Sequence, residues 1–445
     1  MNGNRAWLGM LIGIWGVVQA VAAEPSWPQF RGPNAAGIAD GQGLPDRWSA
    51  TENVAWKQDL PGRGWSSPIV WGSRVFVTTA VDLGESETPR KSLYLGGNRL
   101  APPTSEHEWR VLCLDLDDGH VVWERTVHRG VPQSAIHLKN SFASETPVTD
   151  GERVYAYFGN VGLFVFDLEG TPVWSQRFEP QPTRDGWGTA ASPVLHQDRI
   201  YLVNDNEQQS YLLALDKRTG QTAWRVDRDE KSNWATPLVW QSAQRTELVT
   251  NGTGKVRSYD LNGQLLWWLQ GMSDITIPTP QAGDDLLYLA SGFVFSARRP
   301  VYAIRPGATG DISLTGDATS NAHIAWCQPR GGPYNPSTLL YQQRLYVLLD
   351  LGLLSCYDAS DGMAKYERQR IPRGRAFTAS PWAADGNVFC VNEDGMTFVF
   401  RAGDEFQLLH TNALAEDDMC LASPAAAGNR LLLRTSARIY CLARP

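Results

Sequence analysis

The side chains best suited to bind a ligand are aromatic and polar residues in short, turn-rich segments of the chain. Aromatic planes beside hydrogen-bonding and charged groups are the combination that anchors protein partners at interfaces and small ligands in clefts. The candidate ligand- or partner-binding residues are Trp65, His137, Asn140, Glu145, Trp187, Asp205, Glu207, Trp234, Tyr334, Asn335 and Arg375.

Patterns that would carry catalysis or metal binding are weak. The seven His residues are scattered singly, and the six Cys residues form no CxxC spacing, so neither residue type predicts a metal site. No GxSxG elbow occurs either. We therefore assign no catalytic residue and no metal ligand. Cys113, Cys356 and Cys441 share one position of the repeat described below, where we expect small buried packing residues, and the sequence leaves any disulfide pairing open.

The composition is that of a folded, turn-rich protein without an excess of positive charge. Hydrophobic residues make up 42% of the 445 residues and charged residues 20%, which excludes a largely disordered chain. The net charge of −7 makes nucleic acid and anionic membranes unexpected as partners. The 41 Gly and 27 Pro residues indicate many turns, and the 18 Trp residues indicate a repeated Trp-bearing unit.

The amino terminus has the features of a secretory signal peptide. Arg5 precedes an apolar run over residues 6–18, and the small residues at positions 20–23 predict cleavage near Glu24. The run is too short to be a typical transmembrane helix, so we expect no membrane anchor. The sequence thus predicts a periplasmic or secreted protein.

One sequence unit recurs along the rest of the chain. Its marker is a Ser/Thr-Pro pair, which we interpret as the end of a first strand, and five of the seven steps between markers span 43 to 46 residues. A second strand follows, then a third strand ending in Asp, a Gly turn and a fourth strand carrying Trp. Ser337-Thr338 replaces one pair, and the eight markers begin at Ser67, Thr146, Ser192, Thr236, Thr279, Ser337, Ser380 and Ser423.

Eight copies of four antiparallel strands predict an all-β fold, an eight-bladed β-propeller. The last copy stops after its third strand at residues 438–445, whereas residues 53–60 form a fourth strand with no partners before it. We therefore expect the N-terminal strand to complete the last blade and close the ring. The predicted organisation is a signal peptide (residues 1–23), an irregular lead segment (residues 24–52) and the propeller (residues 53–445).

The pattern AxDxxTGxxxW at residues 214–224 resembles the pyrroloquinoline quinone (PQQ) repeat of the quinoprotein alcohol dehydrogenase-like eight-bladed propellers. The resemblance covers the chain after the signal peptide. This family includes PQQ-dependent dehydrogenases and non-catalytic propellers, among them the propeller lipoprotein of the outer-membrane β-barrel assembly machinery. Residues 27–33, WPQFRGP, resemble the leader of exported PQQ-like propellers. The resemblance therefore implies the fold more strongly than the function.

The resemblance also raises the alternative of a PQQ-dependent dehydrogenase oxidising an alcohol or sugar. Such an enzyme holds Ca²⁺ with Glu and Asn oxygens to polarise the quinone, and an Asp takes the substrate proton. Glu145, Asn140, Asp205 and Glu207 have the required residue types. The chain lacks the adjacent Cys-Cys pair of the methanol-dehydrogenase-like enzymes and a CxxCH haem motif. We therefore expect no cofactor; a hydrolase or lyase using channel carboxylates is a third candidate.

In this architecture, loops from fourth to first strands and from second to third strands share one face and surround the channel. The candidate binding residues fall in or beside these loops, which predicts a monomeric, non-catalytic scaffold that binds a protein or a small-molecule or glycan ligand there. Residues 82–108 are an insertion on the same face, either a solvated loop or a flap over the channel. Residues 306–323 are a second insertion, on the opposite face, which we interpret as a solvated loop.

Overall fold

The chain forms a ring of eight β-sheets, each with four antiparallel strands in its core. The computed structural model describes residues 25–444 except residues 86, 93–95, 99–100, 284 and 415–417, so the predicted signal peptide lies outside the described residues. Two three-residue 3-10 turns, Pro33–Ala35 and Arg184–Gly186, are the helical elements of this described part. The predicted all-β, eight-bladed propeller is confirmed.

Blades 1 to 4 follow the order of the sequence markers, and each runs from the channel outwards. Their strands are Ile69–Trp71, Arg74–Asp82, His107–Asp115 and Val121–Gly130; Val148–Thr149, Arg153–Phe158, Gly162–Asp167 and Pro172–Arg177; Val194–His196, Arg199–Asn204, Ser210–Asp216 and Thr222–Arg228; and Leu238–Gln241, Thr246–Thr250, Val256–Tyr259 and Leu265–Leu269.

Blades 5 to 8 repeat this arrangement, and the last blade takes its outer strand from the start of the chain. Their strands are Gln281–Ala282, Leu287–Ala290, Val301–Ile304 and Ile324–Gln328; Leu339–Tyr341, Arg344–Leu349, Leu353–Asp358 and Ala364–Arg370; Trp382–Ala384, Asn387–Val391, Met396–Arg401 and Leu408–Ala413; and Ala425–Ala427, Arg430–Arg434, Arg438–Leu442 and Val54–Asp59.

Each Ser/Thr-Pro pair lies immediately before the innermost strand of its blade, not at that strand's end as the sequence predicted. The physical reason is that Pro has no N–H and favours an extended residue before it, so it suits the entry to a strand. The Ser and Thr hydroxyls at these entries form a ring around the channel, here called the hydroxyl belt. Its members are Ser67, Thr146, Ser192, Thr236, Thr279, Ser337, Ser380 and Ser423.

Tryptophan side chains join neighbouring blades on the face opposite the belt. The Trp224 indole N–H of blade 3 donates to Leu261 O in the turn of blade 4 at 3.0 Å. A Cβ atom at Gly263 in that turn would lie 2.9 Å from the Trp224 ring, so the turn glycine is needed for close approach as well as for its φ of +85°. The same donation to the next blade is made by Trp56, Trp123, Trp174 and Trp326.

The ring closes as the sequence predicted. Val54–Asp59 pairs antiparallel with Arg438–Leu442, and Trp56 lies opposite Cys441. Arg434 of blade 8 adds a second connection, because its guanidinium donates to Ser66 O at 2.9 Å and to Thr78 O at 2.7 Å in blade 1. Closure therefore combines a strand pair with a buried side-chain latch.

The two insertions are built differently. Part of the lower insertion, Gly310–Asp311, pairs in parallel with Leu265–Leu269 as a fifth strand of blade 4, and Ala308 and Ile312 beside it are buried. This segment is therefore more ordered than the solvated loop that the sequence suggested. The upper insertion separates Arg74–Asp82 from His107–Asp115 and reaches over the channel mouth, as described below.

All six Cys residues are buried thiols without disulfide bonds. Cys113, Cys356 and Cys441 pack at equivalent positions of three blades, as the repeat predicted. Burial raises the pKa of the Cys113 thiol to about 12, so this thiol is not a reactive nucleophile at neutral pH. Over the described residues, no helix is long and apolar enough to cross a membrane.

Candidate ligand-binding cavity at the channel mouth

The hydroxyl belt lines a cavity of about 540 Å³ on the axis of the ring. Around most of the belt, the backbone N–H of one blade donates to the hydroxyl of the next, as from Ser67 N to Thr146 Oγ1 at 2.9 Å. Five further steps repeat this bond at 2.9–3.0 Å. Within the described structure the belt hydroxyls act as acceptors in these bonds, so their O–H groups can donate to a ligand in the cavity.

The lead segment closes the lower end of the channel. Residues 25–40, here called the floor segment, begin at blade 1, where Ser26–Trp27 pairs with Trp71 and Val70. Thr149 N of blade 2 donates to Pro28 O at 2.9 Å, and Ala39 N donates to Ala383 O of blade 7 at 2.9 Å. Phe30 of this segment lines the cavity, so the cavity is accessible from the loop-rich face.

A buried arginine lies within the floor segment. Arg31 is 2% exposed, and its Nε and Nη1 groups have no hydrogen-bond partner among the described residues. Burial without a carboxylate partner lowers the pKa of its guanidinium to about 9, so the group remains charged at neutral pH. The lower closure thus contains a cation that no described ion pair compensates.

Tryptophans from three loops form one wall of the cavity. The Trp187 and Trp234 rings lie 5.5 Å apart, and His137 makes an edge contact with Trp187 at 6.0 Å. The Trp65 indole N–H donates to Lys139 O at 2.8 Å, and that of Trp234 donates to Gly188 O at 2.7 Å. Because these polar groups are already bonded, the wall offers mainly apolar ring surface to a ligand.

The opposite wall comes from loops of blades 5 and 6. Phe293 contacts both Phe295 and Tyr334, with ring centroids 5.4 and 5.3 Å apart. Phe295 is 69% exposed at the rim. The buried Asp350 carboxylate holds the adjoining loop by accepting the Tyr334 and Asn335 N–H groups, each at 3.1 Å. Burial raises the pKa of Asp350 to about 6.

The upper insertion crosses the mouth of the cavity. The described residues of segment 83–106, here called the strap, extend from blade 1 to blade 7, where Lys91 forms an ion pair with Asp394 at 3.2 Å. The strap then returns to blades 2 and 3, and the Trp187 indole donates to Asn98 Oδ1 at 2.8 Å. Ser92, Gly96 and Asn98 of the strap line the cavity, so this segment forms part of its roof.

A buried ion pair fixes the strap. Lys139 of the loop before blade 2 pairs with Glu393 of blade 7, whose side chain is 1% exposed. Glu393 also accepts the Ser92 N–H at 2.6 Å and the Thr378 hydroxyl at 2.7 Å. Among the described residues that line the cavity, Lys139 is the only Lys, Arg, Asp or Glu, and its charge is neutralised by Glu393.

The structure brings seven of the eleven predicted binding residues together around this cavity. These seven are Trp65, His137, Asn140, Trp187, Trp234, Tyr334 and Asn335. Asn140 has an internal role as well, since its amide donates to Trp187 O at 2.7 Å and positions that loop. Trp234 is 8% exposed and therefore also packs between loops.

Four predicted residues lie outside the cavity lining. Glu145 is buried, accepts Gly159 N–H at 3.1 Å and has its pKa raised by burial. Asp205 is buried against Arg228, which donates to both of its oxygens at 2.8 and 2.9 Å. Glu207 accepts Ser232 N–H at 3.2 Å, and Arg375 is an exposed partner of Asp394.

These partners do not fit a Ca²⁺–quinone site. Asp205, the candidate proton acceptor, is saturated by Arg228 and by an amide hydrogen bond from Asn233. Asp115, Asp118 and His120 form a partly exposed cluster. Within the described residues, it is the one group of three His, Cys or acidic side chains close enough together to hold a metal ion. That cluster lies at the turn of blade 1 on the opposite face.

Several lining residues were missed by the sequence analysis. Phe30 lies in a segment interpreted only as irregular, and Phe293, Val294 and Phe295 lie in a loop with no repeat signature. The belt hydroxyls were recognised as repeat markers but not as lining residues. Their eightfold recurrence at strand entries was the signal that could have placed them on the axis.

Comparison with known proteins identifies the family. A model of the family described as outer membrane protein assembly factor BamB matches residues 107–337, which is more than half of the chain. The chain belongs to this family. The outer membrane protein assembly factor BamB of Alkalilimnicola ehrlichii is 28% identical over 178 residues, which are 40% of this chain and 36% of that protein. The match therefore spans about a third of that relative's length.

Solved structures confirm the fold of this BamB-like family member. BamB from Moraxella catarrhalis superposes with a TM-score of 0.55 at 13% identity, covering 80% of this chain and 99% of that one. The quinohemoprotein alcohol dehydrogenase from Comamonas testosteroni gives 0.56 at 12% identity, covering 94% and 80%. At these identities the similarity concerns the PQQ-like propeller and not the activity.

Proposed function

We propose that this BamB-like propeller is an exported scaffold without catalytic activity, and that it binds a protein partner through the cavity and its rim. The cavity itself carries the proposal. It combines aromatic walls, a belt of hydroxyl donors and a closed floor, and its volume is in the range of sites that bury a ligand group. A small-molecule or glycan ligand would use the same surface.

The relatives' names support a protein as the partner. The Alkalilimnicola ehrlichii relative is named an assembly factor for outer membrane proteins. By analogy, we place this chain outside the cytoplasm, in contact with another envelope protein. This location agrees with the signal peptide predicted over residues 1–23.

A dehydrogenase is the weaker candidate function because the acidic side chains that would bind Ca²⁺ or accept a proton already accept hydrogen bonds from other groups of the protein. Arg228 and Asn233 donate hydrogen bonds to the carboxylate of Asp205, and the backbone N–H of Gly159 donates to the carboxylate of Glu145. Freeing either carboxylate for Ca²⁺ would leave buried donors without acceptors, which typically costs about 1–3 kcal/mol for each group. We therefore propose that no quinone is resident.

Site-specific photocrosslinking in the native compartment tests the scaffold function. A benzophenone amino acid at Phe295, on the cavity rim, should crosslink to a discrete protein. The matched control is Met363, which is similarly exposed (65% against 69%) but lies on the opposite face, and it should give no such product. Trp187→Ala should reduce the crosslink at residue 295 while the melting temperature changes little.

Two results would refute the scaffold function. One is equal crosslinking from residues 295 and 363, which would show that the rim has no special role. The other is dye-linked oxidation of an alcohol or sugar after addition of PQQ and Ca²⁺ that disappears in Asp205→Ala.

A further inference from the structure

Six arginines without carboxylate partners gather on one sector of the channel face, although the chain as a whole is acidic, with a net charge of −7. We call this group the arginine sector. None of the six takes part in an ion pair with a described residue, whereas Arg110, Arg129 and Arg257 each have acidic partners. The sector consists of Arg298, Arg299, Arg330, Arg368, Arg370 and Arg373.

The fold explains why these residues meet. Arg298 and Arg299 lie in the second-to-third loop of blade 5, and Arg330 follows that blade's fourth strand. Arg368 and Arg370 end the fourth strand of blade 6, and Arg373 follows in the loop to blade 7. All of these positions are on the side of the ring that carries the cavity mouth.

Direct contacts link part of the sector and position two of its guanidinium groups. The Arg368 guanidinium donates to Arg330 O at 2.7 Å, and Arg299 N donates to Pro329 O at 3.3 Å. The Arg370 guanidinium donates to Leu351 O. The acceptors of the two guanidinium groups are neutral carbonyls, so the charges of Arg368 and Arg370 are positioned but not neutralised.

Nearby acidic groups offset only part of the positive charge of the six arginines. Glu367 contributes one negative charge and accepts a hydrogen bond from the Tyr357 hydroxyl at 3.1 Å, and Asp350 is buried beneath the loop that it holds. Asp394 pairs with Lys91 and Arg375. The arginine sector therefore has a local excess of positive charge, and guanidinium groups bind carboxylates with two parallel hydrogen bonds.

Exposed apolar side chains accompany the arginines. Leu351, which adjoins Arg370, is 54% exposed, and Phe295, three residues before Arg298, is 69% exposed. Phe295 also lines the cavity through the loop that carries Phe293. The positive surface is thus continuous with the apolar rim of the cavity.

We propose that the arginine sector docks an acidic segment of the protein partner, with an apolar side chain of that segment seated against Phe295 at the cavity. This inference rests on the proposed function and adds the partner's chemistry. A chain segment fits better than a bilayer surface, because a segment can follow the rim into a concave cavity and a flat membrane cannot. Charge complementarity of this kind accelerates association and weakens with added salt.

Binding of a labelled peptide tests the proposal. The probe is a fluorescent peptide in which a run of Asp and Glu residues is followed by two Phe residues, and binding is followed by anisotropy at low salt. The double variant Arg368→Glu with Arg370→Glu should weaken binding by roughly tenfold or more, since two attractions become repulsions. Phe295→Ser should weaken it separately, and raising the salt concentration should reduce binding to the wild type.

The matched control reverses two exposed arginines on the opposite face. Arg218→Glu with Arg305→Glu makes the same change in net charge, and neither side chain forms an ion pair with a described residue. This control should bind the peptide like the wild type. Equal weakening by both double variants would overturn the proposal, because it would show a general charge effect.

Binding to lipid vesicles tests whether a membrane surface, rather than an acidic protein segment, occupies the arginine sector. Binding to phosphatidylglycerol vesicles that is lost in Arg368→Glu with Arg370→Glu, without binding of the acidic peptide, would replace the proposal with a membrane surface. Failure of the peptide while the crosslink at residue 295 persists would refute the acidic partner but retain the scaffold. If the protein with the benzophenone amino acid at residue 295 formed no crosslink, the proposed scaffold function itself would be refuted. Melting temperatures of all variants exclude unfolding as the cause.

Discussion

The two ends of the channel are closed by different kinds of contact. The floor segment below is held by backbone hydrogen bonds to blades 1, 2 and 7 and by Trp27, which is 1% exposed. The strap above is held mainly by side chains, with ion pairs at Lys91 and through Glu393. This difference indicates that the lower end is part of the folded core, whereas the upper end can open at lower cost.

We expect the largest loss of stability from deleting the strand that follows the floor segment in the sequence. Deletion of residues 53–60 would expose Arg438–Leu442 as a sheet edge and remove the Trp56 contact with blade 1. We expect loss of cooperative unfolding and aggregation, measured by scanning calorimetry and size exclusion. Deletion of the exposed residues 315–320 is the control and should be tolerated. An unchanged melting temperature without residues 53–60 would contradict this account of closure.

Truncation of one side chain in the floor segment should come next. Trp27→Ala empties a fully buried site, so it should lower the free energy of unfolding by roughly 3–5 kcal/mol in urea titrations. Trp187→Ala, in the half-buried upper wall, should cost less than half as much. Similar decreases in the free energy of unfolding for Trp27→Ala and Trp187→Ala would contradict the conclusion that only the lower end belongs to the folded core.

The upper rim should also respond to acid. The pKa of Asp350 is raised to about 6 in the folded protein, above its ordinary value, so protonation favours the folded state. The stability contributed by this group should increase as the pH falls from about 6 to about 4, by an amount on the order of 2 kcal/mol. Unfolding curves of Asp350→Asn across this range should lack the increment.

The floor serves as the reference for that experiment. Arg31 keeps a constant charge between pH 4 and 7, because even its lowered pKa is about 9. Arg31→Met should therefore shift stability equally at both pH values. If Arg31→Met altered the free energy of unfolding only at the lower pH, the pH response could not be assigned to Asp350 alone.

The smallest effect on global stability is expected at the strap. Glu393→Gln removes the ionic partner of Lys139 and leaves one acceptor oxygen, whereas the two carboxylate oxygens of Glu393 separately accept the Ser92 N–H and the Thr378 hydroxyl. Trypsin should cleave faster after Arg90 or Lys91, by roughly tenfold, while global unfolding changes little. Exposed Glu106→Gln is a control within the same segment. Unaltered cleavage in Glu393→Gln would show that other contacts hold the strap.

The sequence predicted the ring well because its joints are local and repeated. The turn Gly and the strand Trp recur at fixed spacing, and the structure shows that Trp224 of one blade packs against Gly263 of the next. The cavity was predicted only in part. Phe30 and Phe293 belong to irregular segments, and the burial of Asp205 by Arg228 depends on contacts between loops that no periodicity reveals.

The belt and the tryptophan joints share a direction that bears on how such rings arise. In each observed belt bond, the donor belongs to the earlier blade and the acceptor to the later one, and each Trp joint runs the same way. The molecule therefore resembles a head-to-tail cyclic oligomer whose subunits are covalently linked. Duplication of one blade would supply both a donor and an acceptor edge, so gene duplication can lengthen the ring without inventing a new interface.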